Sequence, residues 1–238
     1  MILVIGGTRG TGYLIVRSLE RQAVPVRVLA RSPAHARGLF SLAVEVVGGD
    51  ITQPHTLPPA IEGASHIIFT AGCRSGHPVG EAQIKATEYE GVRNTLAAAR
   101  NVSFAGRFLY MTASGINARS FWTMCLNICK GNTLVWRRRA EDQIRDSALP
   151  YTIIRTGMLL NRRGGTQGIR LTQESLPLSP FYTIARADVA EAFLAALDHP
   201  RAIRTTFEIV SDRSAPREAW SALMQSLKSD DRARIGFT

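Results

Sequence analysis

The feature that most constrains this chain lies in its first thirty residues. An apolar run, Ile2–Ile5, turns directly into Gly6-Gly7-Thr8-Arg9-Gly10-Thr11-Gly12, and a 3.6-residue apolar periodicity starts at once. The run reads as a buried strand and the periodic stretch, Thr11–Gln22, as an amphipathic helix. A second apolar run, Val26–Ala30, completes a strand–helix–strand unit. Such a unit joins two parallel strands by a right-handed crossover, so its glycines sit where the first strand hands over to the helix. Gly6 permits the tight turn, Gly10 lets the backbone approach a ligand, and Gly12 lets helix and strand pack closely. The helix N-terminus adds unpaired N–H groups and the positive end of its dipole. A dinucleotide pyrophosphate suits this arrangement, with Gly6, Thr8, Arg9, Gly10, Thr11 and Gly12 as the residues that cradle it.

The alternation continues along the chain. Strands are predicted at Val44–Val47, His66–Thr70, Arg107–Thr112, Tyr151–Thr156 and Thr205–Ile209, with helices at Pro54–Ile61, Glu81–Arg100, Asn132–Ser147, Arg186–Leu197 and Pro216–Ser226. This pattern predicts an α/β, doubly wound Rossmann fold, a mainly parallel sheet with helices on both faces. With 238 residues, 45% of them hydrophobic, one domain over 1–238 is expected. The stretch Asn161–Pro180, with three glycines and two prolines, reads as a loop beside the site. Loops 73–81, 114–131 and 157–185 are expected to form the substrate region. The charged tail from Lys228 to Thr238 is expected to fray.

No apolar stretch reaches the roughly 18 residues that cross a bilayer, and the apolar opening has no basic leader, so a soluble, cytoplasmic chain is expected. The formal charge of +10 suits nucleic acid, an anionic membrane surface or an anionic cofactor, and charge alone does not choose. In the densest run, Arg137-Arg138-Arg139, acids follow directly at Glu141 and Asp142, which reads as a mixed helix face rather than a nucleic-acid site. Three cysteines, Cys73, Cys125 and Cys129, without histidines at ligand spacing, argue against a zinc site or a disulfide framework and read as small buried thiols. A small-molecule substrate, no metal, and a monomer or homodimer are expected.

Cofactor choice is legible after the second strand. Rossmann proteins that bind NAD place Asp or Glu about 20 residues beyond the loop to hold the ribose hydroxyls. Here the strand ends in Arg31-Ser32. A guanidinium and a hydroxyl at that point suit a 2′-phosphate, and Arg9 is expected to project toward the same region. A charge-assisted hydrogen bond of about 1.5–3 kcal/mol would favour NADP(H) over NAD(H) by roughly ten- to a hundredfold.

Further motifs follow in order: Gly49-Asp50-Ile51, Thr70-Ala71-Gly72, Glu90-Gly91-Val92-Arg93-Asn94, Ala140-Glu141-Asp142, Tyr151 through Gly157, and Ile184 through Ala190. With the glycine loop, they make residues 1–210 resemble the short-chain dehydrogenase/reductase superfamily, and within it the atypical NAD(P)H-binding branch of NmrA-like and biliverdin-reductase-B-like proteins. The resemblance implies that Asp50 and Ile51 contact the adenine and that Thr70, Ala71 and Gly72 line the ribose and pyrophosphate. It also places Thr156, Gly157 and Met158 near the nicotinamide. Asp50 equally suits a turn cap, and Asp188 a helix start rather than an acid catalyst.

The superfamily polarises its carbonyl substrate with a Ser and a Tyr-x-x-x-Lys pair, the lysine lowering the phenol pKa. Thr112 and Ser114, at the end of a predicted strand, are the candidates to orient a reacting oxygen. Counting back from Ala140-Glu141, the Tyr and Lys positions fall on Thr133 and Arg137. Arg137 suits a ribose or phosphate, but a guanidinium stays protonated and cannot shuttle a proton. Biliverdin-reductase-B-like proteins manage without the tyrosine, although the histidine they carry is unmatched at Thr156-Gly157-Met158. Tyr182, His77 and Cys73 remain as groups that loops can bring over the nicotinamide. The residues thus point to an NADPH-dependent reductase of a small flat or aromatic substrate. The alternative is an NADP(H)-binding sensor or assembly protein without turnover.

Overall fold

The computed structural model describes residues 1–73, 80–117 and 120–230. The chain opens with strand β1 (Ile2–Ile5), helix α1 (Gly10–Arg21), strand β2 (Val26–Ala30), the short helix α2 (Pro33–Arg37) and strand β3 (Glu45–Gly48). It continues through α3 (Pro58–Ile61), β4 (His66–Phe69) and one long helical stretch, in which α4 (Glu81–Lys85) and α5 (Gly91–Asn101) flank a π-helical segment, Ala86–Glu90. Next come β5 (Arg107–Ala113), α6 (Phe121–Cys129), α7 (Thr133–Asp146), β6 (Tyr151–Thr156) and β7 (Met158–Leu160). The last elements are β8 (Gly168–Thr172), β9 (Thr183–Ala185), α8 (Arg186–Asp198), β10 (Thr205–Asp212) and α9 (Trp220–Met224).

Eight strands form the main sheet in the order β3-β2-β1-β4-β5-β6-β10-β8. All neighbours are parallel except β8, which runs antiparallel to β10. The doubly wound Rossmann architecture expected from the alternation is therefore present. The chain winds outward from β1 through β2 to β3, then returns to β1's other flank for β4, β5 and β6. Sheets of this kind bind ligands in the crevice where the winding reverses, beyond the carboxyl ends of the strands. Ile5 pairs with both Leu29 and Phe69, so Gly6 emerges between the ends of β2 and β4.

Successive β1 side chains feed two cores. Ile2 and Val4 join Ile15, Val16 and Leu19 of α1 and Phe193 and Ala196 of α8, while Leu3 and Ile5 join Val92, Leu96 and Ala99 of α5 and Ala140 and Ile144 of α7. That two-sided burial explains why the strands read as continuous apolar runs rather than as alternating ones.

The structure corrects several expectations. The stretch Asn161–Pro180 is not a plain loop, because β8 lies within it and pairs Gly168 with Asp212 and Thr172 with Glu208. That pairing carries β10 on to Asp212, past its predicted end at Ile209. Region 157–185 also holds the small parallel pair β7–β9, and region 114–131 holds α6. The predicted helix Pro216–Ser226 shrinks to Trp220–Met224, since Arg217 stays non-helical and bridges to Asp188 and Glu191 of α8. Of the tail expected to fray, residues 231–238 lie outside the described residues.

Candidate functional site

The glycine loop meets the end of β4 with no room for side chains. Gly6 has φ +87°, and a Cβ on it would stand 2.6 Å from the Ala71 nitrogen. A Cβ on Gly12 would stand 2.3 Å from the Gly6 carbonyl oxygen and 2.5 Å from Thr70 Oγ1. At Gly10 the space is open, the nearest atom to such a Cβ being an Arg186 guanidinium nitrogen at 3.7 Å. Arg9 is the N-cap of α1, but its side chain makes no capping bond. The first-turn N–H groups of this twelve-residue helix are thus left without a side-chain acceptor, and the Thr11 hydroxyl is buried without a partner among the described residues. A cradle that a Cβ would fill, ending in uncapped N–H groups, fits a diphosphate.

Around it, Arg31 and Ser32 are exposed at the end of β2, Ser32 standing as N-cap of α2. Arg9 does not project toward them. Its guanidinium donates to the Gly72 carbonyl at 3.1 Å, on the β4 side of the loop, where an acceptor is within reach. Asp50 closes a turn, its Oδ1 accepting from the Thr52 N–H and hydroxyl, both at 2.9 Å. Ile51 packs on Gly91, where a Cβ would lie 2.7 Å from its Cδ1. The Thr70 hydroxyl donates to the Ile5 carbonyl at 3.1 Å, tying β4 to the loop.

Beyond the ends of β5 and β6 lies a cavity of about 590 Å³. Its floor is Met111, Thr112 and Ala113 of β5 with Thr156, Gly157 and Met158, and α6 walls it through Trp122, Cys125, Leu126 and Cys129. Thr112 borders it, and its carbonyl accepts from the Thr156 hydroxyl at 3.2 Å. Ser114 does not: it is 1% exposed, and its hydroxyl is buried without a hydrogen-bond partner among the described residues. Alternation along β5 turns residue 113 toward the cavity and puts the side chains of Thr112, 2% exposed, and Ser114 together on the buried face. Tyr182 contributes its backbone, its carbonyl accepting from the Met158 N–H at 2.7 Å. His77 lies outside the described residues.

The polar end of the cavity is a buried cluster around Glu88, a residue of the π-helical segment that is 3% exposed. Arg137 grips its carboxylate with two nitrogens, Nε at 3.1 Å and Nη2 at 2.9 Å. The Thr133 hydroxyl donates to the same carboxylate, as does the Cys73 N–H at 3.2 Å. Burial alone would lower the Arg137 pKa, but Glu88 beside it holds the guanidinium above its ordinary range. The two positions that match Tyr and Lys in the superfamily pattern are therefore occupied by a threonine and an arginine locked onto one acid. Glu88 carries no sequence signal, because its partners stand about forty-five residues further on and a π-turn sets its direction.

Arg186 is the other residue that sequence reasoning passed over as a functional group. It begins α8, borders the cavity, and donates from Nε to Asn161 Oδ1 at 2.8 Å, with burial lowering its pKa. Its presence in the Ile184–Ala190 motif was the available signal. Asp188, two residues on, is structural: its Oδ1 accepts from the Gly165 N–H at 2.7 Å and from Arg217 at 2.9 Å. The three cysteines are not buried as expected. Cys73 and Cys125 are half-buried, Cys129 is exposed, and all three border the cavity. Burial pushes the Cys73 thiol pKa up. No group of metal-ligating side chains occurs among the described residues, and none of their helices is long and apolar enough to cross a membrane.

A family described as NAD(P)H-binding matches residues 6–200, from the glycine loop to the end of α8. The chain belongs to this family. Among its relatives is a sanguinarine reductase of Eschscholzia californica, 30% identical over 92% of this chain and 91% of that protein. Another is a photosystem II assembly factor of Synechocystis sp., 28% identical over 93% of this chain but only 64% of that protein. Among solved structures, a putative NAD-dependent epimerase/dehydratase from Bacillus halodurans superposes with a TM-score of 0.77 at 19% identity, covering 95% of this chain and 99% of the other. The NAD(P)H-binding kinship expected from the motifs thus holds, and the structural likeness bears out the Rossmann fold. The relatives of this chain include both a named reductase and a named assembly factor.

Proposed function

We propose that this protein is an NADPH-dependent oxidoreductase acting on a small flat or aromatic substrate. The observation that carries this reading is the placement of the cavity. About 590 Å³ of space, walled by Trp122, Leu126 and Leu134, opens beside the glycine loop at the strand ends, within the size range of small-molecule sites. NADPH supplies a hydride when bound. The Gly6–Gly12 loop and the N-terminus of α1 would hold its diphosphate, Arg186 stands next to Gly10 as a further cation, and Arg31 with Ser32 would take the 2′-phosphate. Arg137, fixed by Glu88, would hold a ribose hydroxyl or stabilise negative charge developing on the substrate. Because a guanidinium does not give up its proton, the proton that completes reduction would come from solvent. The kinship with a sanguinarine reductase supports a polycyclic or aromatic substrate class.

Purified protein mixed with NADPH and a panel of quinones, flavins and aldehydes tests the reading through the absorbance of the reduced nicotinamide. Steady oxidation above the protein-free control is expected with at least one flat acceptor. Tight NADPH binding with no turnover across the panel would instead favour a nucleotide-binding regulatory or assembly role. Two observations support that second reading: Thr133 and Arg137 stand where a proton-transferring Tyr and Lys would be, and a photosystem II assembly factor is a relative.

A further inference from the structure

Helix α6 is apolar on both sides. Trp122, Cys125, Leu126 and Cys129, spaced at i, i+3, i+4 and i+7, face the cavity. Phe121, Met124 and Ile128 lie between them at the same helical spacing and are 67%, 56% and 75% exposed. Even its polar residues turn inward. Thr123 donates to the Gly115 carbonyl, and Asn127 accepts from the Leu134 N–H. Beside the start of the helix, where Ser120 donates to the Leu178 carbonyl, runs the segment that carries Phe181, 88% exposed. A helix that is hydrophobic all round belongs in an interior, so this outer face calls for a cover.

The charge around it selects the cover. Between Phe121 and Glu141 the sequence contains four basic residues, Lys130, Arg137, Arg138 and Arg139, and no acid. Lys130 ends α6, and Arg138 and Arg139 are exposed on α7, which packs against it. The neighbouring acid at the C-terminal end, Glu81, is engaged by Asn132 and Trp136, and Glu88 is neutralised by Arg137. A second copy docked through the same face in a two-fold dimer would bring two such basic frames together, which repel. A lipid bilayer surface with anionic headgroups offers both an apolar layer and the opposite charge. We infer that the outer face of α6, with Phe181, docks this protein onto an anionic membrane surface, with the cavity lying directly behind the docking helix. The inference does not depend on turnover, and it assigns the basic charge that the motifs left unassigned.

Co-sedimentation of the full chain with phosphatidylcholine vesicles, with and without phosphatidylglycerol, tests it. Binding to the anionic vesicles is expected, with weak binding to the neutral ones and release as salt screens the headgroups. Phe121→Ser combined with Ile128→Ser should weaken binding by roughly tenfold or more, as loss of inserted apolar area requires. Arg138→Glu should weaken it independently. NADPH affinity should stay unchanged in both variants, since none of the three residues borders the cavity or the glycine loop. Failure to bind anionic vesicles at low salt, or equal binding to neutral ones, would overturn the proposal. So would a concentration-dependent dimer, abolished by the double variant, in a chain that ignores vesicles.

Discussion

Arg31 and Glu88 show how differently two residues of the proposed site can be written into a sequence. Arg31 is legible because its meaning is positional: it ends the strand after the glycine loop, where an acid would hold a ribose and a cation suits a phosphate. Arg31→Ala is expected to weaken NADPH by roughly ten- to a hundredfold while barely moving NADH, as calorimetry with each nucleotide would show. Equal losses for both would refute the 2′-phosphate assignment. Glu88 is illegible because its partners, Thr133 and Arg137, come from another helix and meet it only after folding. Glu88→Gln keeps the side-chain shape but leaves a buried guanidinium without its counter-charge. Breaking such a pair costs about 3–5 kcal/mol, so the urea midpoint should fall clearly, and NADPH affinity with it if Arg137 touches the cofactor. An unchanged midpoint would mean that solvent reaches this pair.

At the scale of elements, legibility follows burial. The expected bounds of β1, β2 and β6 match the structure, and every residue of the three is buried except Arg27 of β2, which is half-buried. The strands that reading missed, β7, β8 and β9, are three to five residues long, and β8 includes Gly168 and an exposed Arg170, so neither length nor periodicity announces them. Helix α6 was missed for a different reason: with both faces apolar it shows little helical contrast, although Ser120 caps it by accepting from the Thr123 N–H. The glycine loop was legible since its spacing encodes contact geometry, and that geometry sets the next prediction. A Cβ on Gly12 would meet backbone and the short side chain of Thr70, neither of which can swing aside. Gly12→Ala should therefore displace α1 from β1, lowering the melting temperature and weakening either nucleotide by more than tenfold, roughly what loss of one charge-assisted bond implies. Normal affinity with normal stability would show that the loop relaxes freely.

Across the whole molecule, one buried charge network joins the helical layer to the sheet. Glu141 of α7, fully buried, takes Arg155 of β6 at 3.1 and 2.6 Å and Arg145 at 2.9 Å, and Arg155 lies 3.6 Å from Glu208 of β10. The two acids share a cation yet shift in opposite directions. Burial pushes Glu141 up, but Arg155 and Arg145 pull its pKa below the ordinary value. Burial dominates at Glu208, whose pKa is raised despite Arg155. The signs of their linkage to stability therefore differ. Glu141 contributes stability that is present above its unfolded pKa of about 4.3 and is lost as pH falls through its lower folded value. Glu208 favours folding when protonated, so its contribution is present below that unfolded value and disappears as pH rises through its higher folded one. Glu141→Gln should thus destabilise the protein at neutral pH and flatten the loss of stability in acid. Glu208→Gln should stabilise it at neutral pH, since the amide carries no charge for burial to penalise. Urea titrations from pH 4 to 8, a range spanning about 4 pH units around the carboxylate values, would resolve both slopes. If the two variants shift stability in the same direction at neutral pH, the shared guanidinium does not divide its charge as this geometry requires.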